Sequence, residues 1–267
     1  MTYDEYFNNA SEEEQEFLQT YCSDGYRKPS VTADIAVFTV NPDGNLCLLL
    51  IQRKDFPYKD HWALPGGFLQ AEHESVGETA VRELKEETGL SGLFLQQLKT
   101  YSDPERDPRM HVISVAHFAL VPYTVLKPMI SAGDDAKRAE LFVIRKTHIG
   151  IQEMNSLEDY IFANENQTLL PIHLAFDHYQ IISDAIERLH GRAKYCFDLF
   201  ALLKDDQSFT ISEFQKIYDA INFKDSDPAN FRKMFNSRYV KSGIVQATNE
   251  KNERGAELYC YKGMEED

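Results

Sequence analysis

The chain has 267 residues and a formal net charge of −15 at pH 7, with 43% hydrophobic and 27% charged residues. That length has room for one large domain or two small ones, and that charge excludes a general attraction of the whole molecule to nucleic acid. Cys22, Cys47, Cys196 and Cys260 make no Cys-x-x-Cys pair, and no apolar run approaches the ~18 residues of a membrane span, so a zinc knuckle, a redox motif and a membrane partner are not expected. The acidic, polar start is unlike a signal peptide, and the expectation is a cytoplasmic protein with reduced thiols.

Residues 3–21 predict a short amphipathic helix with an acidic patch at Glu12, Glu13, Glu14 and Glu16. Residues 31–40 are β-branched and predict a strand; the turn signal Pro42-Asp43-Gly44 and the apolar run 46–52 complete a hairpin. Ala80 to Glu87 is rich in good helix formers. Residues 94–101 and 111–122 alternate as strands around a loop, 102–109, that holds two prolines. A loop from Asp134 leads into an expected last strand at 141–144. Apolar residues at Leu174, Phe176, Ile181, Ile182, Ala185, Ile186 and Leu189 predict a helix over 174–189. This mixture fits an α/β/α sandwich with a mixed sheet, assigned to residues 1–190.

The texture then changes. Residues 191–267 carry 12 Lys+Arg and 13 Asp+Glu, against 16 and 30 in residues 1–190, so nearly all of the negative charge lies in the first part. A helix is predicted over 193–203. A second runs to about 221, with Thr210 and Glu213 at capping-box spacing. A third starts at Asp225-Ser226-Asp227-Pro228 and runs to about 240. Two β-like runs, 243–248 and 257–261, flank a polar tip at 249–255. Three helices and a hairpin describe a winged helix-turn-helix, assigned to residues 191–267. The third helix carries Arg232, Lys233, Arg238 and Lys241 and no acid, while Phe231, Met234 and Phe235 form its inward face. A basic helix in an acidic protein suits phosphates and base edges, so those four cations are the candidate DNA contacts. The alternative is a helix that serves protein contacts alone.

The most informative stretch is 66–90. It places Gly67, Glu74, Arg82, Glu83, Glu86, Glu87 and Gly89 in a loop–helix–loop pattern. On a helix Glu83 and Glu87 share a face, with Glu86 beside them. Carboxylates so crowded repel, and a hard divalent cation such as Mg²⁺ relieves them while leaving positions for substrate phosphate and water. The stretch resembles the Nudix box, Gly-x5-Glu-x7-Arg-Glu-U-x-Glu-Glu-x-Gly-U, where U is a bulky aliphatic residue. From Glu74 to Leu90 the match is complete. Upstream it departs: six residues separate Gly67 from Glu74, and His73 stands where a Gly is usual.

The resemblance implies roles. Glu83, Glu86 and Glu87, with the Gly66 carbonyl, would hold Mg²⁺, with Mn²⁺ as a substitute. Arg82 would orient the glutamates, Glu74 would hold the loop, and Gly67 and Gly89 would occupy tight backbone positions. Glu83, Asp134, Asp135 and Glu140 are candidates for the general base. Arg106 and Arg109 in the Pro-rich loop are candidate phosphate ligands. Trp62 and Tyr58 could stack on a base or belong to the core. His111, His117, His173 and His178 show no metal-ligand spacing. The segments Tyr101–Arg109 and Leu174–Ile181 resemble those of ADP-ribose pyrophosphatase-like Nudix proteins, and with the winged helix the chain is similar to Nudix-related transcriptional regulators of NAD metabolism. The resemblance implies a Mg²⁺-dependent pyrophosphohydrolase of ADP-ribose or a similar nucleoside diphosphate derivative, coupled to DNA binding. The alternative it implies is a weakly catalytic or non-catalytic regulator that senses such a metabolite. Either would be a homodimer, whose symmetry suits a palindromic site.

Overall fold

Strand β1 (Ser30–Val40) is buried from Thr32 to Thr39 because both of its faces are covered, although Thr32, Asp34 and Thr39 interrupt its apolar run. Its side chains alternate between two apolar clusters: Ala36 and Phe38 enter one, Ile35 and Val37 the other. The computed structural model describes residues 3–20, 28–70, 74–89, 94–130, 138–146, 160–163, 172–193, 197–203 and 208–262. Two short helices, α1 (Tyr3–Asn9) and α2 (Glu12–Thr20), precede β1. They are not the single helix expected, because Ser11 Oγ accepts the Glu14 N–H and starts a new helix after Ala10.

The remaining strands of the sheet are β2 (Leu46–Gln52), β3 (Trp62–Ala63), β4 (Gly66–Phe68), β5 (Phe94–Tyr101), β6 (Val112–Leu120), β7 (Ala139–Lys146) and β8 (Tyr160–Ala163). Their order is β5-β6-β1-β2-β7-β8, with β3 added to β2 and β4 to β1. The β1–β6 pair is parallel and the others antiparallel, so the sheet is mixed. Helices α3 (Val76–Thr88) and α4 (Tyr123–Ile130) cover one face through Ala80, Leu84 and Leu126. Helix α5 (His178–Ala193) covers the other through Ile181, Ile182, Ala185, Ile186 and Leu189. The fold is a Nudix α/β/α sandwich.

The structure departs from the sequence expectation here, beginning with the short strands β3 and β4, which were not expected. The strand at β7 is followed by β8, which pairs with it. Helix α4 was unforeseen, hidden by Pro128 within it. Helix α5 starts at His178, because Phe176 adopts φ 53° and Leu174 forms a parallel bridge with Trp62. The helix then continues to Ala193, so a division at residue 190 falls inside its last turn.

The C-terminal part is a winged helix. The helix expected at 193–203 is a 3₁₀ turn, Asp198–Leu202, with residues 194–196 outside the described residues. Helix α6 (Ile211–Asn222) begins with the Thr210–Glu213 capping box. Helix α7 (Pro228–Phe235) is capped by Asp227, has Pro228 in its first turn, and continues as a π-helical turn over Asn236–Val240. The wing is the hairpin β9 (Val245–Lys251) and β10 (Glu257–Tyr261). Aromatic rings fill its core. Phe214 stacks on Phe200 with centroids 4.4 Å apart and meets Phe235 at 5.7 Å and Tyr239 at 5.3 Å. The apolar cluster is continuous from the sheet through α5 into these rings.

Phe214 is only 1% exposed. Phe214→Ala should therefore destabilise the winged helix by about 3–5 kcal/mol. Urea unfolding followed by a probe in α7 checks this; a midpoint equal to that of wild type would contradict the packing described.

Candidate functional site

Helix α3 starts where Ser75 and Glu78 form a capping box and ends at Gly89, whose φ of 70° is the left-handed conformation that favours glycine. Both ends are thus set locally, and the glutamates between them are carried on a rigid element. Arg82 lies at the centre. Its Nε donates to Glu74 Oε2 at 2.9 Å and its Nη2 to Glu74 Oε1 at 2.8 Å. Its Nη1 donates to Glu83 Oε1 at 2.6 Å and to Glu86 Oε2 at 3.2 Å, and Nη2 also reaches the Phe68 carbonyl at 3.1 Å. The loop with its additional residue still delivers Glu74 to Arg82 in a two-pronged pair. The Gln70 N–H and the Thr79 hydroxyl also donate to Glu74, and Arg82 above all holds its carboxyl down at about 2.

Arg82 reaches Glu83 through one oxygen only and donates nothing to Glu87. Burial pushes the Glu83 carboxyl up, against the pull of Arg82. Glu87 is pushed up to about 8, first by burial and then by the neighbouring Glu83, although the Gly66 backbone donates to it. Its Oε2 is shielded from solvent and has no hydrogen-bond partner. Gly67 packs directly on Glu83: a Cβ there would come within 2.1 Å of Glu83 Oε1. An orphaned carboxylate oxygen beside a second half-buried carboxylate fits a hard cation. Among the described residues no three His, Cys, Asp or Glu side chains form a cage unaided. Mg²⁺ does not need one, since water and substrate phosphate complete its shell. Of the candidate bases, Asp134 and Asp135 lie outside the described residues, while Glu140 is ion-paired with Arg138.

Arg106 is a correction. It does not stand in the loop as a phosphate ligand. Its side chain is 4% exposed, and its guanidinium is taken by Asp177 at 2.6 and 2.9 Å and by Asp34 at 3.4 Å. Two carboxylates behind the sheet need a buried cation, and Arg106 supplies it. Arg109 is different. It is 38% exposed, pairs with Asp107 at 2.7 Å, and lies over Phe68 and Phe176 at 5.5 and 5.9 Å. Arg53 sits over the same Phe176 ring at 4.8 Å, and Tyr58 meets it edge-on at 4.9 Å. Trp62 belongs to the core edge, against Phe142 at 4.7 Å.

At the winged helix, Arg232, Lys233 and Lys241 are exposed, while Phe231 and Phe235 are buried. Arg238 is the second correction: it is half-buried, and its Nη1 turns back to the Ala193 carbonyl at the end of α5, 3.4 Å away. The π-helical turn carries it off the outward face and towards α5. Exposed Lys251 and Arg254 in the wing add cations that the sequence reading did not select. It also did not assign the group formed by buried Asp34 and His178 with half-buried Asp177. Their partners are far away in sequence, so no local pattern signals them.

Residues 31–151 match the NUDIX domain, and residues 199–261 match the NrtR DNA-binding winged helix domain. The ADPR responsive transcriptional repressor NtrR of Acinetobacter baylyi is 30% identical over 252 residues, spanning 93% of this chain and 88% of that protein. The ADP-ribose pyrophosphatase of Methanocaldococcus jannaschii is 39% identical over 166 residues, spanning 62% of this chain and 78% of that protein. Shewanella oneidensis NrtR, in its crystal structure complexed with a 27mer DNA, is 28% identical with a TM-score of 0.64, covering 87% of this chain and 93% of that one. The chain belongs to the family of Nudix proteins that carry an NrtR DNA-binding winged helix domain.

Two expectations follow from the geometry. The folded Glu74 carboxyl lies near 2, below its ordinary 4.5, so its contribution to stability is complete above pH 4.5 and is lost as pH falls towards 2. In Arg82→Met that window should close, and a ¹³C titration of the carboxyl should move from about 2 towards 4.5; an unmoved titration would refute the pairing. For DNA, the double variant Arg232→Ala/Lys233→Ala should lower the salt slope of binding by roughly two units, one per phosphate contact. Arg238→Ala should leave that slope unchanged. Fluorescence anisotropy across a salt series separates the two.

Proposed function

We propose that the protein is a DNA-binding regulator whose Nudix domain takes ADP-ribose, or a similar nucleoside diphosphate derivative, and hydrolyses its pyrophosphate with Mg²⁺. One observation carries the reading: Arg82 organises Glu74, Glu83 and Glu86 while Glu87 keeps a buried oxygen with no partner. The names of the Acinetobacter and Methanocaldococcus relatives support ADP-ribose as the ligand.

Glu83, Glu86 and Glu87, with the Gly66 carbonyl, would hold Mg²⁺, and Mn²⁺ would substitute. Bound there, the ion neutralises pyrophosphate charge and favours ionisation of the attacking water. Arg82 offsets the mutual repulsion of the carboxylates and holds them together. Glu83, beside Gly67 on the loop, is placed to accept a proton from water. Arg109 presents a partly exposed guanidinium for phosphate, and the Phe68 and Phe176 rings beneath it keep it extended. Arg232, Lys233 and Lys241 would meet DNA phosphates. The acidic Nudix domain repels DNA, so affinity must come from this local patch. A homodimer would set two winged helices against two half-sites, and sedimentation at micromolar concentration would show the dimer.

A second reading is a weakly catalytic or non-catalytic sensor, which the lengthened loop before Glu74 would favour. The intact Glu74–Arg82 pair favours the first. Both require ADP-ribose to change DNA affinity, because a sensor must bind its ligand differently in its two states.

The test is ADP-ribose hydrolysis with Mg²⁺, run beside binding to the DNA upstream of the protein's own gene with and without ADP-ribose. Glu86→Gln and Glu87→Gln should each lower kcat by more than about 100-fold, since outer partners of metal ligands alone are worth ~10–100-fold. Unchanged turnover in both variants would refute the catalytic role. No wild-type hydrolysis, with a ligand-dependent change in DNA affinity, would leave the sensor; no DNA binding would leave a hydrolase.

A further inference from the structure

The segment Leu64-Pro65-Gly66-Gly67 cannot be anchored by side chains in its second half, and Pro65 has no N–H to give. Its position depends on backbone contacts. The Pro65 carbonyl accepts the Ile35 N–H at 2.8 Å. Gly66 pairs in register with Asp34, so closely that a Cβ would stand 2.2 Å from the Ala33 carbonyl oxygen and 3.0 Å from Asp34 Oδ1. On its other side Gly66 donates to Glu87. The remaining anchor is remote in sequence: the Leu64 N–H donates to His178 Nδ1, the first residue of α5, at 2.9 Å.

His178 is buried, which pushes its imidazole down, and a ring that accepts the Leu64 N–H at Nδ1 is neutral. A neutral ring that accepts at Nδ1 carries its proton on Nε2. Nε2 faces Asp34 Oδ1 at 3.6 Å. Asp34 is itself held by the Ser114 hydroxyl at 2.5 Å and by Arg106 at 3.4 Å, and Arg106 is clamped by Asp177, the residue just before α5. Asp34, whose backbone pairs with Gly66, thus sets its carboxylate beside Nε2 and favours electrostatically the tautomer in which His178 can receive the Leu64 N–H.

We propose that His178 is a positioning residue for the metal-binding loop: with its tautomer set by Asp34, it fixes the backbone from Leu64 to Gly67 against Glu83 and Glu87. This rests on the reading that the loop and the α3 glutamates hold a divalent cation. It gives α5 a task at the site although none of its side chains belongs to the Nudix box.

The experiment uses the full chain and MnCl₂ alone, read by electron paramagnetic resonance, together with hydrogen exchange at the Leu64 amide. His178→Leu removes the acceptor and should raise the Mn²⁺ Kd by about 10–100-fold, the usual effect of losing an outer partner of a metal site, and should speed Leu64 exchange. His178→Asn can keep an acceptor near the Nδ1 position and should stay within about threefold of wild type, the worth of a weakened neutral hydrogen bond. A wild-type Kd in His178→Leu, or an equal loss in both variants, overturns the proposal. If His178→Leu does not fold, Ser114→Ala decides: loosening Asp34 should raise the Mn²⁺ Kd by about threefold, and no change overturns it. Wild type that binds Mn²⁺ but does not hydrolyse ADP-ribose removes the hydrolase reading and leaves this one standing. Wild type that binds no Mn²⁺ removes both.

Discussion

Arg82 donates to three glutamates and one backbone carbonyl from a single guanidinium. Without it, Glu74, Glu83 and Glu86 would crowd around one helix and its leading loop with no cation between them, which would oppose the closed arrangement of loop and helix. The charge is balanced unevenly. Glu74 is held deep in its ionised form, whereas Glu87 retains a buried oxygen with no hydrogen-bond partner among the described residues. A structural ion-pair cluster would satisfy all of its members. This one leaves a deficit at one corner, and a deficit of that kind suits a ligand that brings positive charge.

Helix α5 connects this corner to the rest of the molecule. Its first residue holds the Leu64 amide, and the carbonyl of its last accepts Arg238 from the winged helix. Along its length it buries six aliphatic or Ala positions, within an apolar cluster that runs from the sheet into the aromatic core of the C-terminal part. The two parts share a core and a helix, so a displacement of α5 would be felt at both ends.

The C-terminal part divides its residues by chemistry. Phe200, Phe214, Phe231, Phe235 and Tyr239 take the interior, where edge-to-face and stacked rings fill space that short helices leave open. Arg232, Lys233 and Lys241 are left outside, joined by Lys251 and Arg254 of the wing. A nearly neutral segment thereby carries a basic patch at α7 and Lys241, while the wing mixes these cations with exposed Glu250, Glu253 and Glu257.

The sequence alone determined the elements whose signals are local: the β1–β2 hairpin, α3 with its glutamate register, the Thr210 and Asp227 helix starts, and the wing. Caps, turns and hydrophobic periodicity act over a few residues, so a linear reading recovers them, and the family resemblance added the metal-binding roles. It did not reveal α4, because a proline conceals it, nor the true start of α5, because Phe176 takes a left-handed conformation that no neighbour announces. Arg106 and Arg238 read as surface cations because their sequence neighbours are polar. Only the tertiary structure placed Asp34 and Asp177 around the first, 72 and 71 positions away, and turned the second towards α5, 45 positions away. Side-chain identity states what a residue can bind, but burial and the partners that folding brings near decide what it does bind, and those come from parts of the chain that a local pattern cannot join.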